Sequence, residues 1–226
     1  MKSIALAIFV KTVGYSPIKT RLGSSIGKEQ AESFYSYSLL AISEVMNRLS
    51  KVNPNLTIYW AVAEKDALKS SVWSEFAVVS QGEGESLGER LSHVYSELIA
   101  KHEGVCFIGG DSPHITVSEY ENGILKLKNG SKDTFIMGKT LDGGFYFFGG
   151  KKAIPQKIWT SVEYSQNTTA ENLKRNLLNI GTIDTIKMSY DIDEVIDLQR
   201  YADIDLMNEQ LLPVQKELIK WGRTLK

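Results

Sequence analysis

The sequence predicts an α/β domain in which a mostly parallel sheet is covered by helices on both faces, a three-layer α/β/α arrangement. Three observations point to it. Short, nearly continuous apolar runs recur along the chain, as strands buried on both faces require. Stretches with helical apolar spacing alternate with those runs. Three Ser/Thr-x-x-Glu signatures, at Ser86, Thr116 and Thr168, stand where helices would begin.

Residues 4–10 read as the first strand, and a polar loop follows as far as Lys28. Phe34, Ala41, Ile42, Val45 and Leu49 recur at helical spacing over residues 30–49. Residues 56–62 read as a strand, 66–71 as a short helix and 77–79 as a third strand. The helix opened by Ser86 runs to about residue 100, and a strand spans 105–108. A further helix runs from Thr116 to about 127, and 135–137 and 145–148 are two more strands. Thr168 opens a helix ending near Gly181, 183–188 is the last strand, and the chain reads as helical from Glu194 onward. No linker divides it. One domain is expected over 1–202, with 203–226 as a helical extension packed on the same domain.

The 26 Lys and Arg against 27 Asp and Glu give a formal charge of −1, without the basic excess that sequence-independent nucleic-acid binding needs. A single cysteine excludes an internal disulfide framework and a cysteine-built zinc site. Cys106 sits in the apolar run Val105-Cys106-Phe107-Ile108 and belongs to the core. No run is long enough for a membrane span. The run at 4–10 is short for a secretory signal, Lys11 ends it, and no small-residue cleavage site follows. The chain is expected to be soluble and cytoplasmic, with the Asn-x-Ser/Thr triplets at Asn55, Asn129 and Asn167 as chance matches.

In open α/β sheets, ligands bind beyond the carboxyl ends of the strands, so the chemistry is sought in the loops there. The first loop carries Lys11, Lys19 and Arg21, and residues 1–30 also hold Lys2 and Lys28 against Glu29 alone. Such a loop leading into a helix suits phosphate. It is not a P-loop, because Lys19-Thr20 lacks the second glycine of that pattern. Gln81-Gly82-Glu-Gly84 allows a ligand close to the backbone, with Arg90 one turn into the next helix. Asp111 stands directly past a buried apolar strand, where a carboxylate caps a turn or holds a hard cation. His114 is expected at the surface or as a cap, and His93 and His102 on one helix without a partner pattern. Asp142-Gly143-Gly144 is either a hairpin turn or an active-site loop. Asp191 and Asp193 follow the last strand, and residues 184–209 hold eight acids against Lys187 and Arg200. Basic and acidic residues are segregated along the chain. Brought to one sheet edge, they would serve phosphate and metal together.

Five segments, in this order, resemble a family. They are Phe9-x-Lys11 with Lys19-Thr20-Arg21-Leu22; Gln81-Gly82-x-Gly84 with Leu87-Gly88-x-Arg90-Leu91; Gly109-x-Asp111-x-Pro113; Asp142-Gly143-Gly144-Phe145-Tyr146; and Asp191-Ile192-Asp193-x-x-x-Asp197-Leu198. Over about residues 4–200 the chain resembles bacterial transferases of GT-A fold found beside radical-SAM and selenium-domain genes, some of them assigned to arsenosugar biosynthesis. The resemblance implies a mixed, mostly parallel GT-A sheet and a metal-dependent transferase with a nucleotide-activated donor, a nucleotide sugar above all. The alternatives are a nucleotidyltransferase joining an NTP to a phosphorylated acceptor, and a non-catalytic nucleotide-binding protein.

Residue by residue, Lys11, Lys19 and Arg21 match the family's basic phosphate loop, which is also similar to that of phospholactate guanylyltransferases. Lys19 and Arg21 would stabilise charge on the leaving phosphate. Gln81, Gly82, Gly84 and Arg90 would border the nucleotide. Asp142, Gly143 and Gly144 would face the acceptor, with Asp142 as base. Asp111 matches the acidic residue that holds Mg²⁺ or Mn²⁺ in GT-A enzymes. Asp193 matches the second metal carboxylate of CMP-sugar synthetases, with Asp191 beside it. The expected partners are a nucleotide sugar or NTP and a small-molecule acceptor, with no nucleic acid and no membrane; a homodimer is allowed. The sequence departs from the family pattern at Val13 and Ser16, where Pro and Gly are usual, and at Tyr164-Ser165-Gln166, which replaces a Trp-Ser-Thr segment.

Overall fold

The computed structural model describes residues 3–225, so Lys2 of the basic N-terminal group lies outside the described residues. One seven-stranded sheet forms from β1 (Ile4–Val10), β2 (Leu56–Val62), β3 (Ala77–Ser80), β4 (Gly104–Gly109), β5 (Thr134–Lys139), β6 (Phe145–Gly150) and β7 (Thr182–Thr185), in the order β3-β2-β1-β4-β6-β5-β7. Only β6 runs against the rest, pairing antiparallel with β4 and β5. The sheet is therefore mixed and mostly parallel, as expected.

β1 is central, with Ile8 opposite Trp60 of β2 and Ile108 of β4. Its side chains alternate between two cores. Ile4, Leu6, Ile8 and Val10 meet one cluster with Ile42, Val45 and Leu49 of α2 (Lys28–Val52) and Ile124 and Leu127 of α4 (Val117–Asn129). Ala5 and Ala7 face the opposite layer. Their small size leaves room there for Tyr95 of α3 (Leu87–Ile99), Phe107, Phe148 and Trp159 of α5 (Gln156–Thr160). Leu173 and Leu177 of α6 (Thr169–Leu177) complete that layer. Cys106 is fully buried in the first core.

α2 runs slightly past the expected 30–49, and its first half meets a third cluster. Ala31, Phe34 and Ala41 on its first half pack against Leu22 of α1 (Thr20–Ile26), Leu198 and Tyr201 of α7 (Val195–Ala202), and Leu218 and Ile219 of α8 (Pro213–Gly222). The C-terminal extension thus seats on the flank of α2. It is not one helix running to the end. Pro213 at the first turn starts α8 afresh, since proline is suited to that position.

The capping boxes at Ser86–Glu89 and Thr116–Glu119 form as expected. The third does not: Thr168 makes no side-chain cap, and Glu171 is taken by Lys139. The helix expected at 66–71 is two 3-10 turns, Lys65–Ala67 and Ser71–Trp73. β7 stops at Thr185, after which the chain bonds β5 only through Ile186 and Ser189. His102 lies beyond the end of α3, bonded to Ser3 Oγ and to the Tyr59 hydroxyl.

Candidate active-site cleft

From β1 the chain moves outward to β2 and β3, then returns to the other side of β1 for β4. The strand order reverses between β1 and β4, and at such a switch point the diverging loops leave a crevice. A cleft of about 660 Å³ opens there, of a size that suits a small ligand. It is lined by Lys11, Lys19, Gln81, Arg90, Asp111, Asp142, Gly144, Asp191 and Asp193, drawn from five separate stretches of chain. A smaller side pocket shares Asp142, Asp191 and Asp193 and adds Arg21 and Glu194. The structure brings the sequence candidates together, although Gly82, Gly84 and Gly143 stand outside the lining.

Lys19 is the centre of the arrangement. It precedes α1 in a left-handed conformation, φ 48°, unusual for a residue with a side chain. Its side chain is 3% exposed, and Nζ lies 2.5 Å from Asp111 Oδ1 and 2.9 Å from Asp193 Oδ1. Nζ also donates to the Ile192 carbonyl at 2.6 Å, so all three ammonium donors are used. Burial would favour the neutral amine, but Asp111 and Asp193 outweigh it and hold Lys19 above its ordinary pKa. Arg21 takes Asp193 Oδ2 at 2.7 Å and Glu194 at 3.0 Å. Burial opposes ionisation of Asp193, yet Lys19 and Arg21 hold its carboxyl below the usual range.

These pairings change the expected roles. Lys19 and Arg21 meet carboxylates rather than an open phosphate cradle. The basic first loop and the acidic last loop satisfy each other across the sheet edge. Lys11 and Arg90 are the cleft-lining cations without an ion pair among the described residues. Arg90 spends only Nε, on the Gly84 carbonyl at 2.9 Å.

Asp111, Asp193 and Asp191 are adjacent, as expected of metal ligands, but the place a cation bridging Asp111 and Asp193 would take is held by Lys19 Nζ. Asp191 turns aside to accept a bond from Ser112 Oγ. Burial pushes its carboxyl up to about 7, with the Asp111 charge adding to the shift. Among the described residues no group of three or more Asp, Glu, His or Cys is disposed to hold a metal ion. As arranged, this set does not fit a divalent cation.

The glycines of the second loop have a packing reason. A Cβ on Gly82 would stand 2.9 Å from the His93 ring, and one on Gly84 would stand 2.6 Å from Glu89 Cβ. They let the loop lie on the first turns of α3. Gln81 is buried, its amide donating to the Val10 and Ala61 carbonyls at 3.2 and 2.8 Å. It ties three strand ends together.

Asp142 resolves as a turn that also faces the cleft. Its Oδ1 accepts from Thr140 Oγ1 at 2.5 Å and from the Gly144 amide at 3.1 Å, while the residue remains exposed. At Gly143, φ is +91° and a Cβ would fall 2.0 Å from the Asn167 carbonyl oxygen, so only glycine fits. This contact sets the turn against the segment carrying Tyr164, Ser165 and Gln166, which line the same cleft. Ser165 and Lys19 are the two non-glycine residues with positive φ among the described residues, and both face the cleft. Backbone strain of this kind clusters at functional sites.

His114 is half-buried rather than a free surface residue. It stacks on Tyr190 with ring centres 4.1 Å apart, bonds Ser189 Oγ at 2.9 Å, and is driven down to about 4 by burial. Two further residues carried no motif. The Tyr35 hydroxyl accepts from the Lys11 amide at 2.9 Å and donates to its carbonyl at 3.1 Å, clamping the first loop. Glu64, just past β2, accepts from the Thr12 amide at 2.9 Å. Its position beyond a strand end was the available signal; Tyr35, within a helix, offered none.

A bacterial family described as an uncharacterized protein conserved in bacteria (DUF2064) matches residues 45–166, more than half of the chain. The chain belongs to this family. The matched stretch holds Gln81 to Arg90, Asp111 and Asp142 to Gln166, while the two charged loops meeting at Lys19 lie outside it. No curated protein matches the sequence.

Among solved structures, a Desulfovibrio desulfuricans G20 protein described as a candidate nucleotide-diphospho-sugar transferase superposes with a TM-score of 0.85 at 18% identity, over 100% of this chain and 97% of that one. A 4-diphosphocytidyl-2C-methyl-D-erythritol synthase from Anaerococcus prevotii gives 0.56 at 11% identity, over 87% and 94%. A cytidylyltransferase from Leptospira borgpetersenii gives 0.56 at 13% identity, over 100% and 97%. At these identities the likeness shows a shared fold, that of nucleotide-diphospho-sugar transferases. No helix among the described residues is long and apolar enough to cross a membrane.

Proposed function

We propose that this DUF2064 protein is a transferase using a nucleotide-activated donor, with a nucleotide sugar as the first candidate. The reading is carried by one observation: the cleft at the switch point has Lys11 and Arg90, without an ion pair among the described residues, near the ends of β1 and β3, with Glu85 as the carboxylate beside them, and has Asp142, Asp191 and Asp193 past β5 and β7. Lys11 beyond β1 and Arg90 on α3 suit the diphosphate of a donor. Asp142, Asp191 and the 164–166 segment lie on the other side, where a small-molecule acceptor would sit. The name of the Desulfovibrio neighbour supports this reading, while the two cytidylyl-transferring neighbours support the nucleotidyl-transfer alternative.

In this reading the acceptor hydroxyl attacks the donor sugar carbon. The carbon–oxygen bond to the phosphate breaks, and its electron pair leaves with the nucleoside diphosphate. Lys11 and Arg90 stabilise that charge, and Asp142 Oδ2 takes the proton. Oδ1 of the same carboxylate is fixed by Thr140 and Gly144, which aims the base.

Nucleotidyl transfer to a phosphorylated acceptor is the other reading. Carboxylates on the acceptor side and only two unpaired cations favour the first, because a triphosphate and a phosphorylated acceptor together need more positive charge. Incubation with UDP-, GDP- and CMP-sugars and with an NTP panel decides between them. Nucleoside phosphate released from the sugars without pyrophosphate supports the proposal. Pyrophosphate released from an NTP supports the alternative. If calorimetry detects no nucleotide binding at all, both are wrong.

A further inference from the structure

Lys19 Nζ has an environment made of oxygens alone: two carboxylates and a main-chain carbonyl, at 2.5 to 2.9 Å. Hard cations take just such a set, with carboxylate and carbonyl oxygens converging on one point. Here the point is filled from within the chain. The ammonium is almost wholly shielded, at 3% exposure, and three acceptors match its three protons. The residue is also anchored. It is the N-cap of α1, its carbonyl accepts the Gly23 amide at 2.7 Å, and its backbone is held at φ 48°. Arg21 then occupies the other oxygen of Asp193 at 2.7 Å. A divalent ion bridging Asp111 and Asp193 would have to displace a buried, fully bonded cation and sit beside a second one.

We infer that Lys19 is the resident cation of this cleft, bridging Asp111 and Asp193 where the fold would otherwise place a divalent metal, and that nucleotide binding here needs no metal at these carboxylates. The inference rests on the nucleotide reading of the cleft, but its first test does not. Mn²⁺ is titrated into the intact protein without nucleotide, and free Mn²⁺ is followed by its paramagnetic resonance signal.

The wild-type protein should retain no stoichiometric Mn²⁺ at submillimolar concentration. Lys19→Met, once circular dichroism shows it folded, should gain one site, and adding Asp111→Asn should remove that site. Stoichiometric Mn²⁺ binding by the wild type that Asp111→Asn abolishes overturns the inference. Because Lys19→Met can fail to fold, the wild type is tested a second way. Affinity for UDP and CTP is measured by calorimetry in EDTA and in Mg²⁺. Equal affinity to within about threefold, under 1 kcal/mol, is expected. A loss beyond about tenfold in EDTA, 1.4 kcal/mol, overturns the inference. Failure of both nucleotides to bind in either buffer counts against the transferase reading instead, and the Mn²⁺ titration then decides this one.

Discussion

Lys19 and Asp193 stand 174 residues apart in sequence and meet at 2.9 Å in the cleft. The contact locks the loop after the first strand to the loop after the last. A charge total of −1 conceals it, because the cations of one loop are cancelled by the anions of the other at close range. Removing the ammonium leaves Asp111 and Asp193 facing each other without it. Lys19→Ala should cost about 2 kcal/mol of stability, below the usual cost of breaking a buried pair because both carboxylates are partly solvated. Lys19→Gly should be the milder change by about 1 kcal/mol, since glycine relieves a positive φ. Urea unfolding of both variants checks the order; equal losses would show that the backbone there is not strained.

The Asp142 turn depends on Gly143. Alanine there must move a carbonyl that would stand 2.0 Å from its Cβ, at a backbone angle that alanine avoids. Gly143→Ala should lower stability by about 3 kcal/mol and displace the 164–166 segment along with the turn. Thermal unfolding and the near-ultraviolet dichroism of nearby Tyr164 report the two effects.

What the sequence disclosed and what it hid can be told apart physically. β1, α3 and α4 were legible because each repeats an apolar pattern, and the two helices also carry a capping box that forms. α1 and α5 were not, because each buries a single large residue, Leu22 or Trp159, and one residue makes no periodicity. The candidate residues were legible as strand-end charges and do converge. Their pairing was not, since it turns on Lys19 adopting a left-handed conformation that lysine does not announce. The packing reason for Gly82 and Gly84 was hidden for a related reason: a glycine that admits a ligand and one that admits a helix look alike in sequence.

The C-terminal helix braces the site through Gln215. Its buried amide donates to the Pro113 and Ile115 carbonyls at 2.8 and 3.0 Å, just past Asp111. Gln215→Ala leaves both carbonyls without that donor and should cost about 2 kcal/mol. Hydrogen exchange over residues 109–116 should quicken more than over α3, which packs in a different cluster from α8. A uniform rise would mean that the helix stabilises the domain without bracing the loop.

His114 gives the stability a defined acid dependence. Burial lowers its pKa from 6.5 to about 4, against the raising effect of Glu119 and with the lowering effect of Lys187. The unfolded chain therefore binds a proton that the folded one refuses between those values, and stability falls as pH drops from 6.5 to about 4. At 1.36 kcal/mol per unit the loss is on the order of 3 kcal/mol. Other groups titrate there too, so the informative quantity is a difference. The pH slope of wild type minus that of His114→Gln should be positive across this window and vanish above pH 7.

Lys11 and Lys19 sit in one loop but should behave oppositely when removed. Lys11 is exposed, and its side chain makes no ion pair among the described residues; what holds the loop there is its backbone, through the Tyr35 hydroxyl. Lys11→Ala therefore leaves the internal bonding intact, and its melting temperature should stay within about 2 °C of wild type, as for a surface change below 0.5 kcal/mol. If Lys11 meets a phosphate, the loss is one charge-assisted bond, about 1.5 kcal/mol or tenfold in nucleoside-diphosphate affinity. Lys19→Ala should instead lower the melting temperature before any ligand is added. Isothermal titration with UDP and CDP, paired with thermal scans of the ligand-free variants, separates the two lysines. An unchanged affinity in Lys11→Ala would move the phosphates away from the first loop, leaving Arg90 as the cation to test next.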